Sequence, residues 1–591
     1  MKMPWPSRWM GVVFLLLVLL VSGCFHRNGQ TFSTGQETGN GTSVRVAEES
    51  PGYIAAKIPT RHQMLAQAEK SAGSQPTTDL ASTEQRGQTA VIAVPEHYPA
   101  IDPLGLDKRE QELTPIERFA YEGLIQARPN QMYAPALAST YQAETRDGRA
   151  VVTVRLRPGL KWPDGTAVTV DDVRATLETY ARPEFYGIWR SQLAAVEGAS
   201  PYRAGRANHI SGIITDRASQ TVTIRLVQED RSFLPILTAP LLSARQLTGK
   251  DMQQLEQLTR AGQLMGLGPF QAQAVEAADW TFTANPHYYA GTPRLKALQL
   301  RRMPADRTEA AVRAGDVHMA WVSPKQAALL GKRLPAHLRL LTTEAVGYHF
   351  LGFNLSAGET ADPAVRLALA RALPPKTIAR DRFFGMGKIA DGPLSPLSFA
   401  YKPQPLQVYD PKRAARTLAE KGYSKAHPLS LVIAYPQDAV RERLFTAVQE
   451  AWRPLPVTLT AKALPADEFA AYVFGASPYD LYLFGWKDGP DPSVLSRLWH
   501  SREKTGELGF NASHYHNVEA DRLLDRANRF LPEDERKRLY GKWQKLFSQD
   551  LPIMPLLRLP DSYAVAKMLH GVETNGATNP FENVWKWSLG E

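Results

Sequence analysis

The chain has 591 residues, a formal net charge of +10 at pH 7 and one cysteine; 43% of its residues are hydrophobic and 22% are charged. This length exceeds what a single hydrophobic core supports, so two or three packed units are expected. Lys and Arg are scattered among Asp and Glu without a basic run, which argues against a nucleic-acid-binding protein, and one cysteine excludes an intrachain disulfide framework and a cysteine-based metal site.

The first predicted element is an N-terminal secretion signal at residues 1–23. Lys2 and Arg8 precede the apolar run Gly11 to Val21, which is too short to cross a membrane comfortably. The run ends in Val21-Ser22-Gly23-Cys24, which resembles the bacterial lipobox. The resemblance implies cleavage before Cys24 and lipidation of its thiol; an uncleaved membrane anchor with an incidental cysteine is the alternative.

The next segment, residues 24–88, is expected to be a lipidated tether. From Asn28 to Gln88 the sequence is rich in Gly, Ser, Thr and Gln and has few large apolar residues. Such a segment cannot bury enough surface to fold by itself, so it is predicted to be flexible. Its root-mean-square reach would be roughly 45 Å.

The segment after the tether is predicted to be mainly β. Thr89 to Val94 is typical of a strand, and Ile116 to Ile125 has the apolar spacing of an amphipathic helix. Apolar and polar residues alternate from Val151 to Arg157 and from Thr221 to Val227, which predicts two more strands. Thr169 can cap a helix that begins near Asp171.

Strands and helices then alternate along the rest of the chain. The strands are predicted at Leu429 to Tyr435 and Tyr479 to Trp486, and the helices at Pro363 to Leu373, Ala439 to Trp452, Glu519 to Phe530 and Pro532 to Phe547. This alternation favours an α/β arrangement with lobes built around open sheets.

Several of these segments carry motifs in an order that resembles the family 5 bacterial extracellular solute-binding proteins, which include oligopeptide, dipeptide and nickel receptors. The motifs are Tyr121-Glu122-Gly123-Leu124, the run from Val154 to Thr166 followed by Asp171-Asp172-Val173, Gly266-Leu267-Gly268-Pro269-Phe270, and Phe484-Gly485-Trp486. The resemblance extends over about residues 89 to 591.

The family resemblance implies a two-lobed α/β clamshell, the type II periplasmic-binding-protein-like fold, with an extra β-rich domain inserted in the first lobe. Its expected segments are residues 89–135 and 233–345 for domain I of the first lobe, 136–232 for the inserted domain II, 346–554 for the second lobe, and 555–591 for the return to the first lobe. The chain is expected to cross between lobes near Thr343 to Tyr348 and near Leu551 to Leu556.

The same resemblance implies where a ligand would bind. In peptide-binding relatives an Asp shortly after Gly-Trp anchors the α-ammonium group of the ligand, and Asp488 matches it here; Asp491 is the alternative. The loop is one residue shorter than in those relatives, and Lys487 adds a positive charge beside the anchor. Gly485 lies in the motif, and Trp486 is expected to form a wall of the cleft, with core packing as the alternative.

A strand from Tyr348 to Asn354, including Phe350, is expected to offer its backbone to an extended peptide. Dipeptide receptors also hold the ligand carboxylate with an Arg in the loop after a strand of the second lobe. Here that loop is Pro436-Gln437-Asp438, and Arg441 and Arg443 come only on the following helix. The dipeptide type of carboxylate clamp is therefore expected to be absent, which favours longer peptides.

The expected function is capture of peptides by an extracytoplasmic lipoprotein that delivers them to the permease and ATPase subunits of an ABC importer. No cofactor, metal site, enzymatic activity or nucleic-acid partner is expected, and the protein should be a monomer held at the cell envelope by Cys24. Hydrolase motifs are absent, and His514 and His516 lack a third convergent ligand. The open alternatives are a non-peptide ligand (a metal chelate, haem, a saccharide or an opine) and a peptide-sensing signalling lipoprotein.

Overall fold

The computed structural model describes residues 88–96, 98, 101–106, 114–128, 131–185, 188–190, 192–274, 279–356, 358–475, 477–487, 489, 491–503, 510–574 and 579–590. The predicted signal segment, Cys24, the predicted tether up to residue 87 and Asp488 lie outside the described residues. All described residues belong to one compact unit, Leu80–Glu591. None of the helices in this part of the chain has the length and apolar character that crossing a bilayer requires.

Strands and helices alternate through most of the described chain. The strands are β1 Thr89–Pro95, β2 Ile125–Arg128, β3 Gln131–Pro135, β4 Ala138–Arg146, β5 Arg149–Leu156, β6 Ile213–Asp216, β7 Thr221–Leu226, β8 Phe270–Ala274, β9 Trp280–Ala284, β10 Ala297–Met303, β11 Met319–Val322, β12 Leu338–Thr342, β13 Gly347–Phe353, β14 Lys388–Ile389, β15 Leu429–Pro436, β16 Val457–Leu464, β17 Leu481–Lys487, β18 Ile553–Arg558, β19 Ser562–Ala566, β20 Leu569–His570 and β21 Ser588–Leu589. The α-helices are α1 Val170–Tyr180, α2 Ala199–Arg203, α3 Ala244–Leu247, α4 Met252–Arg260, α5 Ala305–Ala314, α6 Pro324–Lys332, α7 Pro363–Arg371, α8 Pro375–Thr377, α9 Pro411–Glu420, α10 Ala439–Trp452, α11 Ala466–Val473, α12 Leu495–Trp499, α13 Val518–Ala527 and α14 Glu533–Asp550.

A seven-stranded sheet in the order β12-β19-β11-β1-β10-β9-β8 forms the centre of the first lobe. The predicted strand at Thr89 to Val94 is confirmed as β1, whose five middle residues are buried and whose neighbours β10 and β11 run parallel to it. Such a continuous apolar run is typical of a strand that is covered on both faces.

The strand directions define two edges of this sheet, a carboxyl edge and an amino edge. The carboxyl edge is where β1, β10 and β11 end, and because β19 and β12 alternate in direction, it also contains the start of β19 and the end of β12. The residues of the carboxyl edge are Pro95, Met303, Val322, Ser562 and Thr342. The opposite, amino edge consists of Thr89, Ala297, Met319, Ala566 and Leu338.

A four-stranded antiparallel sheet, β4-β5-β7-β6, packs on the same hydrophobic core as the seven-stranded sheet. The strands predicted from alternation are confirmed as β5 and β7, and β7 buries every second residue. The predicted cap of α1 is also confirmed: Thr169 accepts a hydrogen bond from the backbone N–H of Asp171, and Asp172 accepts one from the backbone N–H of Thr169.

The helix predicted from Ile116 to Ile125 is wrong. The structure has only a 3₁₀ turn at Glu117–Phe119, followed by irregular chain and then β2. Residues 119–125 are buried without interruption, so their apolar pattern reflects burial on all sides and not one face of a helix. The backbone of Gly123 lies so close to the backbone of Thr238 that an added Cβ would come within 2.6 Å of it.

Glu122 is a buried carboxyl group with a structural role. The hydroxyl of Tyr289 donates a hydrogen bond of 2.9 Å to it, and the side chain is almost inaccessible to solvent. Desolvation raises the pKa of Glu122 to about 7, although the hydrogen bond from Tyr289 and the charge of Arg118 oppose the rise. The folded protein therefore holds a proton at this position at pH values where the unfolded chain has already lost it.

This proton makes stability depend on pH. The unfolded chain loses it near pH 4.5 and the folded chain near pH 7, so the free energy of unfolding should fall by about 3 kcal/mol as the pH rises through that interval. A Glu122→Gln variant keeps an acceptor for Tyr289 but does not titrate. Urea unfolding at pH values across this interval measures the fall in the free energy of unfolding. That fall should be about 3 kcal/mol smaller in Glu122→Gln than in the unaltered protein. The same dependence of the free energy of unfolding on pH in both proteins would contradict the raised pKa of Glu122.

The second lobe contains a six-stranded sheet in the order β14-β18-β13-β17-β15-β16. Helices α7, α9 and α10 cover one face of it, and α11 to α14 cover the other. The strands and helices predicted in this region are confirmed as β15, β17, α7, α10, α13 and α14, with shifts of a few residues at some of their ends.

The chain crosses between the two sheets at residues 343–346 and 559–561. The crossings touch, because the backbone N–H of Thr343 donates to the carbonyl of Asp561 and the hydroxyl of Thr343 accepts from the backbone N–H of Asp561. The first crossing lies where it was expected. The second was expected near Leu551 to Leu556, but β18 is a buried strand of the second sheet, so the chain leaves that sheet only after Arg558.

The lobes also contact each other away from the crossings. The 3₁₀ helix Arg231–Thr238 packs its apolar side chains into the core of the first lobe. Its first residue reaches the second lobe, where the backbone N–H of Arg231 donates to the carbonyl of Asn528 at 2.8 Å and its guanidinium lies 3.4 Å from Asp491. One end of this helix therefore connects the two lobes.

Candidate ligand-binding site between the lobes

The two crossings join one edge of the first sheet to one edge of the second sheet. β15 and β17 are parallel, and β13 begins opposite the end of β17, with Gly347 paired to Lys487. Both crossings connect this edge of the second sheet to the carboxyl edge of the first sheet. In open α/β sheets, ligands bind in the crevice outside the carboxyl ends of the strands. The candidate site is therefore the space between these two edges.

Tyr348 and Phe350 lie behind this edge, in an aromatic layer. Their rings stack at 5.3 Å between centroids, and Phe350 meets Phe484 edge-on at 6.3 Å. Both side chains are almost completely buried, and the cavity of about 10 Å³ among these rings could hold at most one water molecule. The geometry therefore gives their side chains a supporting position under the edge.

Trp486 is the member of this layer closest to the crevice. It is half-buried, and its ring lies 5.9 Å from that of Phe510. Its indole N–H has no hydrogen-bond partner among the described residues. Trp486 thus packs on the aromatic layer and keeps part of its surface accessible.

Lys487 and Asp561 bring opposite charges to the crossings. Both residues are exposed, and no described residue donates a hydrogen bond to the carboxylate of Asp561. The surrounding protein nevertheless desolvates that carboxylate, which raises its pKa, while the positive charge of Lys487 lowers it. A carboxylate that is accessible but partly desolvated is what the wall of a narrow crevice produces.

Gly485 lies under two basic side chains from other elements. A Cβ added at Gly485 would lie 2.5 Å from Nη2 of Arg441 and 2.6 Å from Nδ1 of His349, so a larger residue would force these side chains to shift. Burial and, to a smaller extent, the charge of Arg441 lower the pKa of His349 to about 3, so this imidazole is neutral at physiological pH.

Arg441 keeps unused hydrogen-bonding capacity at this position. It follows the N-cap residue Asp438 by three positions on α10, and its Nη1 lies 3.2 Å from the Asp438 carboxylate. Its Nε and the Nδ1 of His349 are buried without partners among the described residues. A ligand carboxylate at this point of the crevice would supply the missing acceptor.

Asp491, the alternative ammonium anchor, is already engaged inside the protein. Its carboxylate has no exposed area, and it lies 2.7 Å from Nη2 of the equally buried Arg536 and 3.4 Å from Nε of Arg231. Burial alone would raise the pKa of Asp491, but the two arginines hold it below its usual value. The structure therefore leaves Asp491 no free oxygen that faces the crevice.

Most of the backbone of β13, which was expected to be offered to an extended peptide, is already paired with other strands. β13 lies in the interior of the six-stranded sheet, paired with β17 along its whole length and with β18 from His349 to Gly352. From His349 to Gly352 its main-chain groups face a partner strand on both sides, so an added strand has no edge to join there.

Asn354 lies at the other end of β13 from the remaining candidates. Its side chain donates to the carbonyl of Tyr479 at 2.9 Å and accepts a hydrogen bond from the backbone N–H of Ser356. Seven residues of strand separate it from Gly347, which is roughly 23 Å at 3.3 Å per residue. The structure thus brings together Gly485, Trp486 and Lys487 at the crevice, places Tyr348 and Phe350 behind them, and sets Asn354 apart.

Sequence reasoning missed Asp561 and placed Arg441 outside the site. Asp561 lies in an ordinary-looking loop, and only the second crossing gives it significance. Arg441 was discounted because it follows the loop, on a helix, yet the third helical residue still reaches the edge when a glycine lies opposite. Among the described residues no group of three His, Cys, Asp or Glu side chains could hold a metal ion.

The chain is similar to known proteins both in sequence and in structure. A family profile described as "Bacterial extracellular solute-binding proteins, family 5 Middle" matches residues 132–506, more than half of the chain. The glutathione-binding protein GsiB of Escherichia coli (strain K12) is 25% identical over 504 residues, which cover 81% of this chain and 91% of that protein.

Solved structures match the fold of this chain over 85% of its length. NikZ from Campylobacter jejuni in complex with Ni(L-His) matches with a TM-score of 0.70 and 22% identity, covering 85% of this chain and 99% of that one. The oligopeptide-binding protein AppA from Bacillus subtilis, in complex with a nonapeptide, matches with a TM-score of 0.69, 22% identity and the same coverage. These likenesses confirm the predicted type II periplasmic-binding-protein fold.

Proposed function

Because this chain belongs to the family 5 bacterial extracellular solute-binding proteins, we propose that it captures peptides for an ABC importer. Proteins of this family act outside the cytoplasm and deliver their ligands to permease and ATPase subunits. The peptides would be oligopeptides, bound and released without chemical change. Relatives carry different ligands, as the names of the glutathione-binding protein and of the nonapeptide and Ni(L-His) complexes indicate, so the choice of peptides depends on the crevice itself.

The observation that carries the proposal is the distribution of charge around the crevice. Asp561, whose carboxylate lacks a hydrogen-bond donor among the described residues, lies at the crossing between the lobes. Arg441 and Lys487 lie on the edge of the second sheet. A peptide carries an ammonium group at one end and a carboxylate at the other, so it complements both sets of charges. Asp488 remains the proposed ammonium anchor, and Asp561 would add a second negative charge near it.

Capture would proceed by closure of the two lobes about the crossings. Within the described part of the chain, two short segments join the sheets, residues 343–346 and 559–561, which suits a hinge that absorbs backbone rotation. A ligand that contacts both lobes favours the closed arrangement by its differential affinity for it. Trp486 would then form part of the wall over the bound peptide.

We also propose the cellular setting that the N-terminal sequence predicts. Removal of residues 1–23 would leave Cys24 as the lipidated first residue of a monomeric receptor, and residues 24–88 would tether the body to the membrane. This setting places the crevice outside the cytoplasm, where a receptor for an importer has to meet its ligand.

The proposal is tested by native mass spectrometry of the purified full chain. A series of masses that matches bound oligopeptides is the expected result. A saccharide, a haem or a metal chelate would instead assign a non-peptide ligand, and turnover of the bound compound would make the protein an enzyme. Peptide binding without any effect of the protein on peptide uptake would favour the signalling alternative.

The proposed binding of the peptide ammonium group by Asp488 and Asp561 leads to a second, quantitative prediction. In calorimetric titration with a synthetic oligopeptide pool, Asp488→Ala and Asp561→Asn should each weaken binding by roughly tenfold or more. The peptide affinity of the unaltered protein should fall as the pH is lowered through the raised pKa of Asp561, because protonation removes the negative charge. The Asp561→Asn variant should lack the share of this pH dependence that comes from Asp561.

Glu344→Gln is the matched control for Asp561→Asn. Glu344 is a carboxylate of the other crossing that is already paired with Lys388 at 2.8 Å and is half-exposed. Its replacement should leave the affinity and its pH dependence unchanged. Equal losses in both variants would show that charge near the crossings acts only on stability or closure and would remove Asp561 from the ligand site.

A further inference from the structure

The amino edge of the first sheet carries an exposed surface that is both basic and apolar. Helix α6 ends there with Lys332, followed by Arg333 and Leu334, and all three side chains are exposed. Leu329 lies on the same face of α6 as Lys332 and Arg333, three and four positions earlier. The apolar members are accessible to an unusual degree for leucine, with 49% of Leu329 and 40% of Leu334 exposed.

A second segment extends this surface from the other side of the edge. The backbone N–H of Lys567 donates to the carbonyl of His337 at 2.8 Å, next to the pairing of Ala566 with Leu338. Lys567 and Met568 therefore lie beside the turn that follows α6, and Met568 is 44% exposed. We refer to Leu329, Lys332, Arg333, Leu334, Lys567 and Met568 as the amino-edge patch.

The charges of this patch are not neutralised within the protein. Lys332, Arg333 and Lys567 form no ion pair with a described residue, although many exposed basic side chains elsewhere do. Asp316 is an exposed acidic residue at the same edge, just before β11. Three positive charges against one negative charge, mixed with three exposed apolar side chains, suit a partner that is anionic and has an apolar interior.

The path of the chain points to the same partner. The described chain starts at Gln88, whose carbonyl accepts a hydrogen bond from the backbone N–H of Lys296 at the amino edge. β1 is two strands away from β19 in the sheet, which is about 10 Å at the usual strand spacing. The N-terminal region that the sequence predicts to be lipidated thus joins the folded body beside the patch.

We propose that the amino-edge patch rests on the surface of an anionic phospholipid membrane. Basic side chains would lie among the headgroups, and Leu329, Leu334 and Met568 would reach the boundary of the acyl chains. The carboxyl edge is at the opposite end of the same strands, so this contact leaves the crevice uncovered for ligand capture. The proposal relies on the proposed lipid anchor to bring the protein to the membrane, and its test separates the two.

The test uses the full lipidated chain reconstituted on vesicles of phosphatidylcholine alone or with phosphatidylglycerol added. Lysines are acylated with a water-soluble reagent and quantified by mass spectrometry. Lys332 and Lys567 should be labelled roughly fivefold less on the anionic vesicles, the factor expected for one basic side chain near such a surface, and salt of about 1 M should abolish the difference. Lys412 and Lys462, which are exposed on the second lobe, should be labelled equally on both vesicles.

Two paired variants sharpen the result. Arg333→Glu combined with Leu334→Gln should remove the protection of Lys332 and Lys567 on anionic vesicles. Arg416→Glu combined with Val408→Gln makes the same change at an exposed basic and an exposed apolar residue of the second lobe and should leave the protection intact.

Equal labelling of Lys332 and Lys567 on the two kinds of vesicle would overturn the proposal. So would protection that arises only when importer subunits are reconstituted with the receptor, because the patch would then be a protein interface. Failure of the chain to float with phosphatidylcholine vesicles would refute the lipid anchor instead, and the labelling contrast on anionic vesicles would still decide whether the patch binds them.

Discussion

An Asp491→Ala variant is expected to lose about 3–5 kcal/mol of its free energy of unfolding, the usual consequence of leaving one partner of a buried ion pair alone. Arg536 has no exposed side-chain area, and its Nη2 lies 2.7 Å from Asp491. Without the carboxylate, the guanidinium would remain buried next to the rings of Phe399 and Tyr540. Urea unfolding followed by circular dichroism measures the loss.

A double variant, Asp491→Ala combined with Arg536→Met, tests this explanation. The double variant removes the buried guanidinium that lies 2.7 Å from Asp491 but keeps the charge of Arg231, so it should recover part of the lost stability. Glu309→Ala, which breaks the half-exposed pair with Arg313 on a helix surface, is the control and should change stability little. A loss in Asp491→Ala no larger than that of the control would contradict the view that this carboxylate is a structural counter-ion.

Asp491 has a second structural role, because it also contacts Arg231 of the first lobe. One carboxylate therefore serves a fixed partner within its own lobe and a partner that belongs to the opposite lobe. Any opening of the crevice on this side has to separate Arg231 from Asp491. Asp491 follows the proposed ammonium anchor, Asp488, by three residues. Its contact with Arg231 therefore ties the chain just after that anchor to the first lobe.

An Arg441→Gln variant is expected to bind oligopeptides at least about tenfold more weakly than the unaltered protein, because a charge-assisted hydrogen bond to a carboxylate would be lost. Amidation of the peptide C-terminus should weaken binding to the unaltered protein by a similar factor. The two changes should not add, since both remove the same interaction. Calorimetric titration of both proteins with free and amidated peptides gives the four affinities that are needed.

Arg443→Gln is the matched control for this experiment. Arg443 lies two residues further along α10, on a different face, with its guanidinium over the ring of Phe384 at 5.2 Å. This substitution should change neither the affinity nor the effect of amidation. An amidation effect that persists in Arg441→Gln would show that the ligand carboxylate lies elsewhere, with Lys487 as the next candidate.

Gly485 explains why this arginine is available. The strand β17 runs past α10 with no side chain at this position, so Arg441 and His349 both approach its backbone. The neutral imidazole does not compete with Arg441 for an anion, since burial holds its pKa near 3. The Gly-Trp motif thus has two structural roles: the glycine admits a basic group on one face of the strand, and the tryptophan occupies the other face.

Much of the fold could be read from the sequence because its elements carry local signals. α10 was predicted with the ends that the structure shows, since Asp438 caps it and an apolar stripe runs along one face. β1 and β7 were recognisable from a continuous apolar run and from alternation. The prediction failed at Ile116 to Ile125, where close contacts with distant backbone, such as that of Gly123 with Thr238, decide the conformation.

By itself the sequence determined the family and many of the strands and helices, because motifs and periodicity are properties of short stretches of chain. Only the tertiary structure decided which residues face the crevice. Asp491 and Asp561 are the same residue type, but folding buries Asp491 between two arginines from other segments and leaves Asp561 exposed at the second crossing. Arg441 meets Gly485 and His349 through the pairing of β13 with β17 and the packing of α10, and such contacts between distant segments leave no local mark in the sequence.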